Sequence, residues 1–176
     1  MTELTTQRLR LTPMTPQDFD PLCDLWRREA FTRQIGLASM TPETVWLRLL
    51  RDIGHWQVFR FGNWSLRRLD DNAWIGTVGI FDYRRDLTPA LRDFELGWGL
   101  HPDYQNRGYA FEAVTAALRH ADETLKLPRT TCMISPDNAA SLKLAHRAGF
   151  TDWCDGDLRG ERLLLLERTR AKVLLA

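Results

Sequence analysis

Between Glu95 and Ala110 the chain gathers residue types that can hold a charged small molecule. In Phe94-Glu95-Leu96-Gly97-Trp98-Gly99-Leu100 the large apolar side chains share one face of a predicted strand, leaving Glu95, Gly97 and Gly99 on the other. His101-Pro102-Asp103-Tyr104 follows, then Gln105-Asn106-Arg107-Gly108-Tyr109-Ala110 at the mouth of a predicted helix. Helix N-termini leave backbone N–H groups unpaired and carry partial positive charge, and a glycine lets a ligand approach the main chain. The junction therefore suits an anion such as a pyrophosphate, with Arg107 as an added contact. The same residues also fit a tight turn with a solvated arginine, and helix physics alone does not separate the two.

The elements that must position this stretch are legible around it. Arg8-Leu9-Arg10-Leu11 alternates with period two, as a half-buried strand does. Thr15-Pro16-Gln17-Asp18 and Thr41-Pro42-Glu43 each supply a hydroxyl cap, a proline and an early acid, predicting two helices. The first carries Phe19, Leu22, Cys23, Trp26 and Ala30 at helical spacing, the second Trp46, Leu49, Leu50 and Ile53. Trp64–Leu69 and Trp74–Phe81 read as a hairpin around Asp70-Asp71-Asn72, with Arg84–Arg92 a loop. Gly108–Leu125 is the strongest helix, with Phe111, Val114, Leu118, Ala121 and Leu125 in steps of three and four. A strand at Thr130–Ile134, a helix at Ala139–Ala148 and strands at Thr151–Asp155 and Arg162–Glu167 complete the pattern, with a helical or frayed tail from Arg168.

Composition bounds the partners. The 176 residues, 44% apolar, fit a single domain over 1–176, and a net charge of +1 provides no basic face for nucleic acid or anionic membrane. No run approaches the roughly 18 apolar residues of a membrane span. Cys23, Cys132 and Cys154 form no CxxC pair, which points away from a disulfide scaffold and toward a reducing, cytoplasmic setting. His55, His101, His120 and His146 are scattered, so no metal is expected. GxSxG, GxxxxGK[ST] and a complete GxGxxG are all missing, which removes hydrolase, P-loop and dinucleotide readings.

The constellation resembles the Gcn5-related N-acetyltransferase (GNAT) superfamily, and within it the RimJ/RimL-like branch. Gln105-Asn106-Arg107-Gly108-Tyr109-Ala110 matches the family's Q/R-x-x-G-x-G/A loop, and Asn138-Ala139-Ala140-Ser141 followed by Gly149-Phe150 matches the branch's N-x-x-S…GF pattern. Gln7-Arg8-Leu9-Arg10-Leu11 opens the chain as in that branch. The resemblance implies an α/β (α+β) fold: a mixed, mostly antiparallel sheet of about six to seven strands, flanked by about four helices and splayed at the fourth and fifth strands.

The resemblance implies acetyl-CoA as cosubstrate, without a metal, and a primary amine as acceptor, either a protein N-terminus or a small molecule. It puts the pyrophosphate on the backbone from Asn106 to Ala110, with Gln105 and Arg107 in the same loop, and the pantetheine arm along Trp98-Gly99-Leu100 and near Asn138. The N–H near Leu100 would polarise the thioester carbonyl. An attacking amine must be neutral, so a base is required, and Glu95 is the candidate; its alternative role is that of a solvated or salt-bridged strand carboxylate. Ser141 is implied near the leaving sulfur, its alternative being a helix cap. Many superfamily members carry a tyrosine where this chain has Ala145, leaving Ser141 as the one donor the resemblance supports. Cys132, in a predicted buried strand, is expected to be inert. A homodimer is possible by analogy. A non-catalytic acyl-CoA-binding module is the alternative reading.

Overall fold

The computed structural model describes residues 2–35 and 38–170. In chain order the strands are β1 (Leu4–Thr5), β2 (Leu9–Pro13), β3 (Asn63–Arg68), β4 (Trp74–Phe81), β5 (Leu87–Thr88), β6 (Glu95–Leu100), β7 (Arg129–Ile134), β8 (Thr151–Leu158) and β9 (Glu161–Thr169). The α-helices are α1 (Phe19–Arg27), α2 (Glu29–Thr32), α3 (Pro42–Phe59), α4 (Tyr109–Glu123) and α5 (Ala139–Arg147). The strands form one sheet in the order β1-β2-β3-β4-β6-β7-β9-β8-β5. Setting aside the two-residue β1 and β5, the long strands match the expected six to seven.

Every neighbouring pair is antiparallel except β6 and β7, which are parallel and meet at the single pair Glu95↔Thr131. By contrast, β6 pairs with β4 along its whole length, from Phe81↔Glu95 to Gly76↔Leu100. The sheet is therefore splayed where expected, between the fourth and fifth long strands. A parallel neighbour needs a crossover, and α4 supplies it.

Side-chain alternation divides the labour of β4 and β6. Val78, Ile80, Leu96 and Leu100 join the main core with Val114, Ala117, Leu118 and Ala121 of α4. Thr77, Phe81, Glu95, Gly97 and Gly99 instead line a cleft roofed by residues of α1, α2 and α3. A smaller apolar cluster of Met14, Leu22, Val45 and Leu49 holds α1 on α3.

Four expectations are corrected. The first helix does not run through Ala30: Arg28 leaves helical geometry (φ −71°, ψ 108°) and α2 starts afresh. Asp24 accepts from Arg27 and Arg28 (both 3.1 Å) and meets His101 Nε2 at 3.0 Å, tying the end of α1 to the end of β6. Second, Trp46 and Leu50 lie outside the buried stripe of α3; that stripe is Val45, Leu49, Asp52, His55 and Trp56, and Trp46 only meets Phe19 edge-on. Third, the Arg84–Arg92 loop contains β5, which pairs with the end of β8. Arg168 and Thr169 extend β9 rather than starting a tail helix, and residues 171–176 lie outside the described residues.

Candidate active site

The loop before α4 is shaped for close approach. Asn106 and Gly108 both have positive φ (59° and 82°), and Gly108 caps α4 without a side-chain hydrogen bond. Asn106, Arg107 and Gly108 are exposed, and among the described residues no backbone N–H from Asn106 to Ala110 donates to the protein. Those five donors are free for a ligand, which is the arrangement an anion needs. Arg8 buttresses the turn: Nη1 donates to Arg107 O (3.0 Å), the guanidinium pairs with Glu112 (2.7 Å), and it lies over the Tyr109 ring at 4.5 Å. Gln105 supports the loop from beneath, its Nε2 donating to Leu100 O at 3.1 Å. Tyr109 is buried in the core and Ala110 is half-buried.

Next to the loop, the splay exposes main chain. His101 N–H donates to Ile75 O on the β4 side, whereas Phe94 O accepts from Thr131 N on the β7 side. Backbone groups alternate along a strand, so Trp98 and Leu100 direct theirs toward β7, beyond the single paired residue. Gly99 faces β4 instead, and the bare side of the strand is not open space. A Cβ on Gly97 would lie 2.6 Å from Phe81 Cζ, and one on Gly99 2.9 Å from Phe31 Cζ. The glycines admit two aromatic rings against the sheet, and the break after α1 delivers one of them.

The cleft, of about 690 Å³, brings together Glu95, Trp98, Gly99, Asn138 and Ser141. Leu100 and the residues from Gln105 to Ala110 do not line it. Asn138 caps α5, its Oδ1 accepting from Ser141 N at 3.1 Å. The cap is thus the asparagine, and the Ser141 hydroxyl makes no hydrogen bond among the described residues. Glu95 is buried and accepts from Arg85 through both oxygens, Nε to Oε2 at 2.7 Å and Nη2 to Oε1 at 3.1 Å. It is both a salt-bridged strand carboxylate and a cleft residue, and each oxygen retains a lone pair. Cys132 also reaches the cleft wall but is 1% exposed, and burial pushes its thiol far above the ordinary range.

Sequence reasoning missed the polar cluster on α3. Asp52, buried in the apolar stripe, accepts from Tyr83 Oη (2.6 Å), Asn63 Nδ2 (3.1 Å) and Arg51 (3.1 Å). Burial holds the Tyr83 phenol well above its usual range, so it donates as a neutral hydroxyl. The signal was present: in Val45, Leu49, Asp52 and Trp56 an acid occupies a helical position that otherwise carries apolar residues. The Tyr83 ring stacks on Phe81 at 4.1 Å and lies beneath the Arg51 guanidinium at 3.5 Å, which joins α3 to the loop after β4.

A family model described as the acetyltransferase (GNAT) domain matches residues 8–151. The N-acetyltransferase YoaA of Bacillus subtilis is 27% identical over 148 residues, 84% of this chain and 81% of that protein. The [ribosomal protein uS5]-alanine N-acetyltransferase of Escherichia coli is 29% identical over 73 residues, 42% of this chain and 38% of that one. A solved GnaT-family acetyltransferase from Bordetella pertussis superposes with a TM-score of 0.84 at 32% identity, covering 96% of this chain and 100% of its own. The family model spans most of the sequence and the superposition covers nearly all of it, and the chain belongs to the GNAT family of acetyltransferases.

Proposed function

We propose that this N-acetyltransferase transfers an acetyl group directly from acetyl-CoA to a primary amine, a protein N-terminus or a small molecule, in the manner of the RimJ/RimL-like branch. One observation carries the reading. The unpaired N–H groups from Asn106 to Ala110, the N–H groups that Trp98 and Leu100 direct toward β7 beyond its single pairing, and the free Ser141 hydroxyl supply donors from the surface toward the cleft. A long, multiply charged carrier ending in a thioester suits those donors. Acetyl-CoA supplies the activated acyl group, and the chain's residues position it and the acceptor side by side.

In this reading the Leu100 N–H lies toward the thioester carbonyl, where it would stabilise the developing oxyanion. Ser141 faces the departing sulfur as a hydrogen-bond donor. Asn138 borders the pantetheine arm while holding the first turn of α5. Glu95, fixed by Arg85, offers its remaining lone pairs to the amine or to an intervening water, keeping the attacking nitrogen deprotonated. Direct transfer is favoured over a covalent acetyl-enzyme because the buried Cys132 thiol has little thiolate with which to attack. Its three free cysteines suit a reducing compartment such as the cytoplasm.

Calorimetry with acetyl-CoA followed by thiol release on a panel of amines tests the proposal. Micromolar binding with amine-dependent thiol release is expected. Absence of binding would reject it, and binding without release on any amine would leave the acyl-CoA-binding module.

A further inference from the structure

We infer that the acceptor end of the cleft is built for an amine carrying a carboxylate close by, and that Arg48 receives that carboxylate. The inference rests on the transferase reading only for the amine; the carboxylate site stands on the charges themselves. Six arginines and four carboxylates line the cleft, so positive charge is in excess. Most of these arginines are already matched. Arg85 holds Glu95 through both oxygens, Arg51 holds Asp52, and Arg159 and Arg162 pair with Asp86 and Asp155 at 3.4 and 3.0 Å.

Arg48 differs from these. Its guanidinium lies over the face of Trp26 at 4.3 Å, and among the described residues it has no carboxylate partner and no hydrogen bond. Burial, then the neighbouring Arg51 charge, lowers its pKa to about 10 against an opposing pull from Asp52, so this half-buried cation has an opposite charge nearby but none in contact. Stacking occupies a face of the guanidinium and leaves its N–H edges, the part that grips a carboxylate bidentately, for a ligand. Leu22, Leu25, Phe31, Val45 and Leu49 line the same cleft, and apolar surroundings strengthen a pairing made within it. Asp52 and Glu95, held by Arg51 and Arg85, make no ion pair with Arg48.

The carboxylate has two sources: the C1 carboxylate of a free amino acid, or an acidic side chain next to a peptide's N-terminal amine. Thiol release at saturating acetyl-CoA is measured for free amino acids against their primary amides. A second arm uses amidated Ala-Asp and Ala-Glu peptides against Ala-Asn and Ala-Gln. We expect kcat/KM at least tenfold higher for the acid of at least one series, carried in KM, with the series naming the source. Arg48→Gln should bring that ratio to about one, and Arg48→Lys should restore part of it. Equal use of acids and amides by the wild type, or a preference surviving in a folded Arg48→Gln, overturns the inference and leaves the transferase intact.

If Arg48→Gln does not fold, the wild-type ratio decides. If no amine supports thiol release, calorimetry compares N-acetyl amino acids and the N-acetylated acidic peptide amides with their neutral counterparts in the presence of CoA. Selective binding of an acid then sustains the carboxylate site while the transferase reading fails; binding of no acid overturns it.

Discussion

Gly108 allows conformation and charge to be tested separately. Its φ of 82° is a region that costs an L side chain about 1–2 kcal/mol. A Cβ there would meet only Arg8 Nη2, at 3.3 Å, so the half-exposed guanidinium that pairs with Glu112 must give by a few tenths of an ångström. Gly108→Ala should therefore lower Tm by roughly 2–8 °C, at about 2–4 °C per kcal/mol for a chain of this size. Because that strain is present with and without ligand, acetyl-CoA affinity should stay within about tenfold. Gly108→Glu carries the same strain and adds a negative charge at the mouth of the five free N–H groups. At roughly 6 Å from one phosphate charge and an effective dielectric near 20, the repulsion is about 3 kcal/mol. That corresponds to a loss of about two decades in Kd. Calorimetry at fixed ionic strength measures Kd, and a thermal melt checks that both variants fold. A folded Gly108→Glu protein that binds acetyl-CoA within threefold of wild type would refute the placement of the pyrophosphate.

Glu95→Gln should keep acetyl-CoA affinity and slow turnover most at low pH; an unchanged pH–rate profile would remove Glu95 from proton transfer. Asp52→Ala strands Tyr83, Asn63 and Arg51 in a buried site, a loss of about 3 kcal/mol or more, seen as a Tm lower by roughly 6–12 °C; a drop under 2 °C would contradict the cluster's role. Burial lowers the pKa of both His55 and His120 below the ordinary 6.5. As pH falls below 6.5 the unfolded chain takes up these protons first, so the urea midpoint should drop between pH 7 and pH 5. A flat midpoint across that interval would contradict neutral burial of these imidazoles.

What the sequence disclosed follows from which forces are local. The loop from Gln105 to Ala110 and its helix could be read because capping and glycine conformation act over a few residues. The partners that hold the site come from afar: Arg85 reaches Glu95 across a loop, and Arg8 reaches Arg107 from 99 residues away. No periodicity reports such meetings. The break at Arg28 lies beside Asp24, which meets His101, a contact 77 residues away in sequence. Trp46 and Leu50 misled because apolar residues flank the true stripe of α3, whose centre is occupied by Asp52 and His55. Gly97 and Gly99 suggested an open face, but an empty Cβ position in sequence does not say whether a ligand or the protein's own rings will fill it.

The lone rung between β6 and β7 divides the sheet into two sub-sheets whose strands otherwise pair only among themselves. A ligand lying in that gap would act as a suture, sharing hydrogen bonds with a seam the polypeptide leaves open. Deuterium uptake along the Trp98 margin would then report occupancy directly, and loading would couple the opening motions of the two halves.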